Sequence, residues 1–191
     1  MNQIKATELL HRNVAELRAL LEHTSRLGPQ IEAAANGLAK TLLSGGTLLA
    51  CGNGGSAADA SHLTTEFVCR YHKDRRPYPA ISLVAHGGDL TAIGNDYDFN
   101  DIFARQVEAF GRPGDLLIAF TTSGRSENVR RALVAAKGRH LLTVSFLGKD
   151  GGTCTGLADI ELLIQSTTTA RIQEMHQLLF HTICELAEEQ L

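Results

Sequence analysis

Five short apolar runs, spaced by helix-length stretches, limit what this chain can fold into. They are TLLAC (47–51), AISLV (80–84), DLLIAFT (115–121), LLTVSFL (141–147) and IELLI (160–164), each bounded by Gly, Asp, Pro or Ser. Their hydrophobicity is nearly continuous, whereas a strand with one wet face would alternate. They therefore read as parallel strands buried on both faces. Parallel neighbours need crossover connections, and the stretches near 56–70, 99–110 and 126–138 have helical character. A last helix is expected over about 170–189. The combination predicts an α/β fold, a three-layer αβα sandwich around a five-stranded parallel sheet.

Two helices are expected ahead of the first strand. Residues 2–23 set Leu9, Leu10, Val14, Leu17, Leu20 and Leu21 at helical spacing. Gly28-Pro29 interrupts the pattern, and IEAAANGLAKTLL (31–43) resumes it as the second of an N-terminal helical pair. No repeat or linker divides the chain. Its 191 residues, 43% of them hydrophobic, suit one domain over 1–191 with a substantial core.

Charge and composition exclude several function classes. The net charge is −3 and no Lys/Arg run marks a tail, so no nucleic-acid partner is expected. The basic segment RYHKDRRP (70–77) is broken by an acid and reads as a solvated loop. The chain has no Trp, which argues against base-stacking platforms. No apolar run is long enough to cross a bilayer and none has a basic leader, so a soluble, cytoplasmic protein with no membrane partner is expected. Cys51, Cys69, Cys154 and Cys184 are scattered without a CxxC pair and read as reduced, buried small residues.

Ligands of open parallel sheets bind beyond the C-terminal strand ends. Two small-residue loops follow strands here, GNGGSAAD (52–59) and TTSGRSEN (121–128). Such loops offer backbone N–H groups, hydroxyl donors and the positive end of a helix to a phosphate. Neither carries the nucleoside-triphosphate lysine nor GxGxxG spacing. The same residues also suit ordinary strand–helix turns, and Ser56 with Asp59 has capping-box spacing.

The helix after the first loop places His62 and Glu66 at i, i+4, with Arg70 one turn further. On composition alone that pattern reads first as a surface His–Glu–Arg ladder, with a catalytic face as the alternative. In the last helix Leu178, Leu179, Ile183 and Leu186 form a stripe with His181 beside it. Gln173 precedes His181 by eight residues, about 12 Å along a helix. Those two can grip one small atom only if a long ligand or a neighbouring subunit bridges the distance. Asn95 and Asp96 in IGNDYDFNDIF (93–103) stand in a short polar loop, which alone is a turn or helix-capping signal.

Taken in order, CGNGGSAADASH with Glu66 and Arg70, AIGNDY, TTSGRSENV, GKDGGTCTGLADIE and RIQEMHQLLFH resemble the sugar isomerase (SIS) domain family, and within it the phosphoheptose isomerases. The resemblance spans nearly the whole chain. It implies the SIS fold, a homotetramer with sites near subunit contacts, and a sugar-phosphate substrate. The implied reaction isomerises D-sedoheptulose 7-phosphate to D-glycero-D-manno-heptose 7-phosphate, toward nucleotide-activated heptose for bacterial surface polysaccharide. By the same resemblance Glu66 and His181 match the catalytic acid–base pair. Thr121, Thr122, Ser123, Ser126 and Ser56 match phosphate-loop positions. Asn53, Gly54, Arg70, Asn95, Asp96 and Gln173 match sugar-contacting or supporting ones. His62, Glu66, Gln173 and His181 match positions that hold zinc (Zn2+), one ion per subunit, in some members. Ala170 stands where several relatives carry Asp, which removes a third carboxylate.

A related adaptor type, non-enzymatic and bound to the bacterial replication initiator, shares ARIQEMH but lacks the terminal histidine that this chain has at His181. A sugar-phosphate-sensing regulator would need a helix-turn-helix domain, and an amidotransferase type a partner domain. The enzyme reading is therefore preferred.

Overall fold

Successive residues of a strand face opposite sides of its sheet, so a strand apolar at every position needs a core on each side. The computed structural model of the protein describes residues 5–191 and meets that demand. Helices α1 (Ala6–Thr24) and α2 (Gly28–Leu43) come first, joined by a 3-10 turn at Ser25–Leu27. Residues 2–4 of the expected first helix lie outside the described residues. Pro29 occupies the first turn of α2, where its missing N–H is not needed, so Gly28-Pro29 starts the second helix.

The rest alternates: β1 (Leu48–Gly52), α3 (Gly55–Val68), β2 (Ala80–Ser82), α4 (Gly87–Asp96), α5 (Ala104–Phe110), β3 (Leu116–Thr121), α6 (Glu127–Gly138), β4 (Leu142–Gly148), β5 (Ile160–Ile164) and α7 (Thr169–Glu188). All strand pairs are parallel, in the order β2-β1-β3-β4-β5. The sheet thus grows in both directions from β1. A crevice opens between the loops after β1 and β3, where connections leave toward opposite edges.

Register sorts the strand residues into two cores. Leu48, Ala50, Leu116, Ile118, Phe120, Val144 and Phe146 face α2, α3 and α7. Leu49, Cys51, Leu117, Ala119 and Leu147 face α5 and α6. Every residue of β1 and β3 is buried, and each large apolar side chain so placed contributes about 1.5–3 kcal/mol.

Three departures bear on the site. A helix not expected from the sequence, α4, takes in Asn95 and Asp96, which therefore close a helix rather than occupy a loop. None of its side chains is fully buried, and only Leu90 and Ile93, half-buried against the core, mark its inner face. The helix expected over 99–110 is a 3-10 turn at Phe99–Asp101 followed by α5. Finally, α3 stops at Val68, so Arg70 lies beyond the helix and not on its face. Cys69 at that end is exposed, against expectation, while Cys51, Cys154 and Cys184 are buried and free.

Candidate active site

The two small-residue loops meet at the crevice. Asn53 and Asn128 exchange amide hydrogen bonds of 2.8 and 2.9 Å, which tie the loop after β1 to the start of α6. Gly54 is the N-cap of α3, at φ 59° and ψ −122°, a conformation that glycine tolerates and side chains do not. The capping-box reading of Ser56 and Asp59 is therefore wrong. Ser56 is a buried member of the first turn, and Asp59 turns elsewhere.

The loop after β3 is a cluster of hydroxyls. Thr121 Oγ1 lies 3.1 Å from Ser126 Oγ and 3.4 Å from Ser123 Oγ, and accepts the Gly124 N–H at 3.2 Å. Ser123 Oγ accepts the Arg125 N–H at 3.1 Å. Thr122 is half-buried beside them. Gly124 has φ +63°, and a Cβ there would run into the backbone of Gly151. Ser126 is the N-cap residue of α6 but makes no side-chain capping bond. Its hydroxyl stands at the positive end of a helix, a position suited to an anion.

A second arrangement lies along the contact of α3 with α7. The Gln173 amide presses on Gly55 so closely that a Cβ there would overlap it. Gln177 Nε2 donates to Asp59 Oδ1 at 3.1 Å. His181 meets His62 edge-on, ring centres 5.0 Å apart. Each rung advances both helices by about one turn, so the two run parallel.

At the last rung His62 Nε2 is 2.9 Å from Glu66 Oε1. One donor atom each from His62, Glu66 and His181 lies within 4.8 Å of the others. Glu66 and His181 are half-buried and His62 is exposed. Burial, and then the nearby charge of His62, push the His181 imidazole below its ordinary pKa, with Glu66 acting the other way. Two imidazoles and a carboxylate are a donor set that suits zinc.

The remaining expected residues do not join this trio within one chain. Gln173 lies two rungs away on α7, about 12 Å from His181 by helix rise. Arg70 is exposed and donates to the His72 carbonyl at 3.3 Å. Asn95 and Asp96 are exposed and bonded to one another at 2.8 Å. A cavity of about 900 Å³ elsewhere, between α1 and the loops after β4 and β5, shares Arg125 with the hydroxyl loop but none of the trio.

Sequence reasoning missed several residues. Asp59 is buried, its Oδ2 has no partner, and burial raises its pKa against the pull of Gln177 and His62. Its place three residues before His62 was the available signal. RYHKDRRP is a largely exposed loop, as expected, but it is tethered. The N–H groups of Tyr71, His72 and Lys73 all donate to the buried carboxylate of Glu188. Arg75 pairs with the same carboxylate and donates to the carbonyls of Glu66 and Phe67 at 2.6 and 3.2 Å. More than a hundred residues separate the partners, and no local pattern reports such a contact.

Residues 13–148 match the family model described as SIS domain. A phosphoheptose isomerase from Shewanella loihica is 45% identical over 172 residues, covering 88% of this chain and 87% of the relative. One from Roseiflexus is 48% identical over 163 residues, covering 85% and 83%. The solved structure of a phosphoheptose isomerase from Neisseria gonorrhoeae superposes with a TM-score of 0.91 at 36% identity, over 97% of this chain and all of that one.

Proposed function

This chain belongs to the SIS domain family, and with phosphoheptose isomerases as its relatives we propose that it converts D-sedoheptulose 7-phosphate to D-glycero-D-manno-heptose 7-phosphate. The observation that carries the proposal is the convergence of Glu66, from α3, and His181, from α7, in one polar cluster. Ketose-to-aldose conversion removes a proton from C1, passes through an enediol(ate), and returns a proton at C2. Glu66 is the base for the carbon-bound proton. His181, held below the usual imidazole pKa, stays neutral near pH 7 and can both give and take a proton at the substrate oxygens.

The C7 phosphate docks on Ser56 and on the hydroxyls of Thr121, Thr122, Ser123 and Ser126. Asn53, Gly54, Arg70, Asn95, Asp96 and Gln173 serve the sugar. The last four do not join the trio within one chain, which supports a site completed by neighbouring subunits of a homotetramer. The exposed apolar side chains of Leu9, Leu10, Val14 and Leu21 on α1, and of Leu178 and Leu186 on α7, support such assembly.

His62, Glu66 and His181 would hold one zinc ion per subunit, and Gln173 would join them from a neighbouring subunit or across a long ligand. The ion, when bound, stabilises negative charge on the substrate oxygens. The whole chain, 1–191, acts as one domain. No described helix is long and apolar enough to cross a membrane, and the cytoplasm, where activated sugars are assembled, is the setting that fits the reaction. The initiator-binding adaptor is not favoured, since the relatives reported above are isomerases by name.

The test is to incubate the purified protein with sedoheptulose 7-phosphate in deuterated water, with and without a chelator. NMR should show aldoheptose phosphate with deuterium at C2. No conversion under either condition refutes the proposal.

A further inference from the structure

A buried carboxylate at the last residue of a helix is doubly disfavoured, by desolvation and by the partial negative charge of that helix end. Glu188 is such a group, ending α7 at 4% exposure. Four donors answer it. Oε1 accepts the Tyr71 N–H at 3.2 Å and Arg75 Nε at 3.3 Å, while Oε2 accepts the N–H groups of His72 and Lys73 at 2.9 and 3.0 Å. Burial works against the charge, yet these donors hold the carboxyl below its ordinary pKa.

The turn so gripped belongs to no helix or strand, and its position depends on the grip. Its first residue reaches the trio. The Tyr71 ring stacks on His72, centres 4.1 Å apart, and faces His181 at 5.9 Å with the planes 26° apart. The other aromatic neighbours of His181 are Phe180 at 4.5 Å and His62 at 5.0 Å, both edge-on. Those two ride on α7 and α3. Tyr71 alone of the three is placed by the turn. Remove the ring, and the imidazole gains room to swing.

We infer that Glu188 is a positioning residue for His181, acting through the 71–73 turn and the ring of Tyr71. It touches neither substrate nor reacting atom. On the isomerase reading, on which its kinetic consequence depends, misplacing the proton-transfer imidazole by about 1 Å is enough to cost on the order of 10²-fold in rate.

The experiment is a double-mutant cycle in the full-length protein, with kcat and KM measured for sedoheptulose 7-phosphate. Glu188→Gln and Tyr71→Ala should each lower kcat by about ten- to hundredfold, and KM should stay within about threefold because the hydroxyl loop is untouched. Tyr71→Phe, which keeps the ring, should stay near the parent. In the Tyr71→Ala background, Glu188→Gln should cost no further activity, because both changes act through one contact. Losses that multiply, or a Tyr71→Ala protein as active as Tyr71→Phe, overturn the inference. The second comparison decides even if Glu188→Gln does not fold.

A readout independent of turnover is the NMR shift of the His181 ring protons, which feel the Tyr71 ring current. Glu188→Gln should move them as Tyr71→Ala does, and an unchanged shift in folded Glu188→Gln overturns the positioning role. Failure of the parent protein to convert the sugar would instead refute the isomerase reading.

Discussion

His176 should make folding stability fall in mild acid by an amount that its surroundings set. It lies on α7 with no exposure, between Phe120 at 6.1 Å and Phe146 at 5.6 Å. Nε2 is 3.2 Å from the Leu147 carbonyl and must carry the proton, since a carbonyl only accepts. Nδ1 has no partner. Burial lowers the pKa from 6.5 to about 4, against a small opposing pull from the Leu147 hydrogen bond. The folded pKa is thus below the unfolded one, so between pH 6.5 and about 4 the unfolded chain binds the extra proton. The stability contribution is complete above pH 6.5 and is lost as pH falls through that window. At 1.36 kcal/mol per unit, linkage gives a loss of about 2 kcal/mol by pH 5 and about 3 by pH 4.

The variant His176→Gln offers a donor to the same carbonyl but cannot titrate. Urea unfolding at pH 7.5 and 5.0, at one protein concentration, isolates the effect. Other groups protonate in both proteins, so the quantity of interest is the difference between their losses. The parent should lose about 2 kcal/mol more than the variant. Equal losses, within about 0.5 kcal/mol, would show that this imidazole is not held neutral by burial.

Glu66→Gln and His181→Gln should each reduce kcat by about 10²–10⁴-fold while leaving the circular dichroism spectrum and assembly unchanged. Near-parental turnover in both would exclude the acid–base pair. Gly124→Ala demands a positive φ of a residue with a side chain and drives its Cβ into Gly151. It should disturb the hydroxyl loop and raise KM at least about tenfold, more than it lowers kcat; an unchanged KM means that the loop does not bind substrate. His62→Ala should weaken zinc binding in calorimetry by about tenfold or more, and parental affinity would remove His62 from the donor set.

Much of the architecture could be read from the chain because a parallel sheet leaves a strong trace. Strands buried on two faces cannot hide their composition, and all five expected runs contain a strand. The second shrinks to Ala80–Ser82 at the sheet edge, where only β1 pairs with it. Helix α4 was hard to see for the opposite reason, since it offers little more than Leu90 and Ile93, half-buried against the core, and no fully buried side chain. At the site, local spacing found His62 and Glu66, and family resemblance paired Glu66 with His181.

Arg70 was misplaced because a helix pattern does not show where backbone carbonyls find other donors. Arg75, from beyond the helix, takes those of Glu66 and Phe67. Gln173 and His181 are separated by helix rise alone, which the sequence stated correctly and the structure keeps.

Because α3 and α7 point the same way, their dipoles add instead of cancelling. Both amide-rich ends flank the Gly55–Gln173 rung, and both carbonyl-rich ends lie past His62 and His181. The seam is therefore an electrical slot with a built-in head and tail, hospitable to a dianion at one mouth and to a cation at the other. Exchanging side chains along it can change which guests stay, but reversing their order would require turning a helix around.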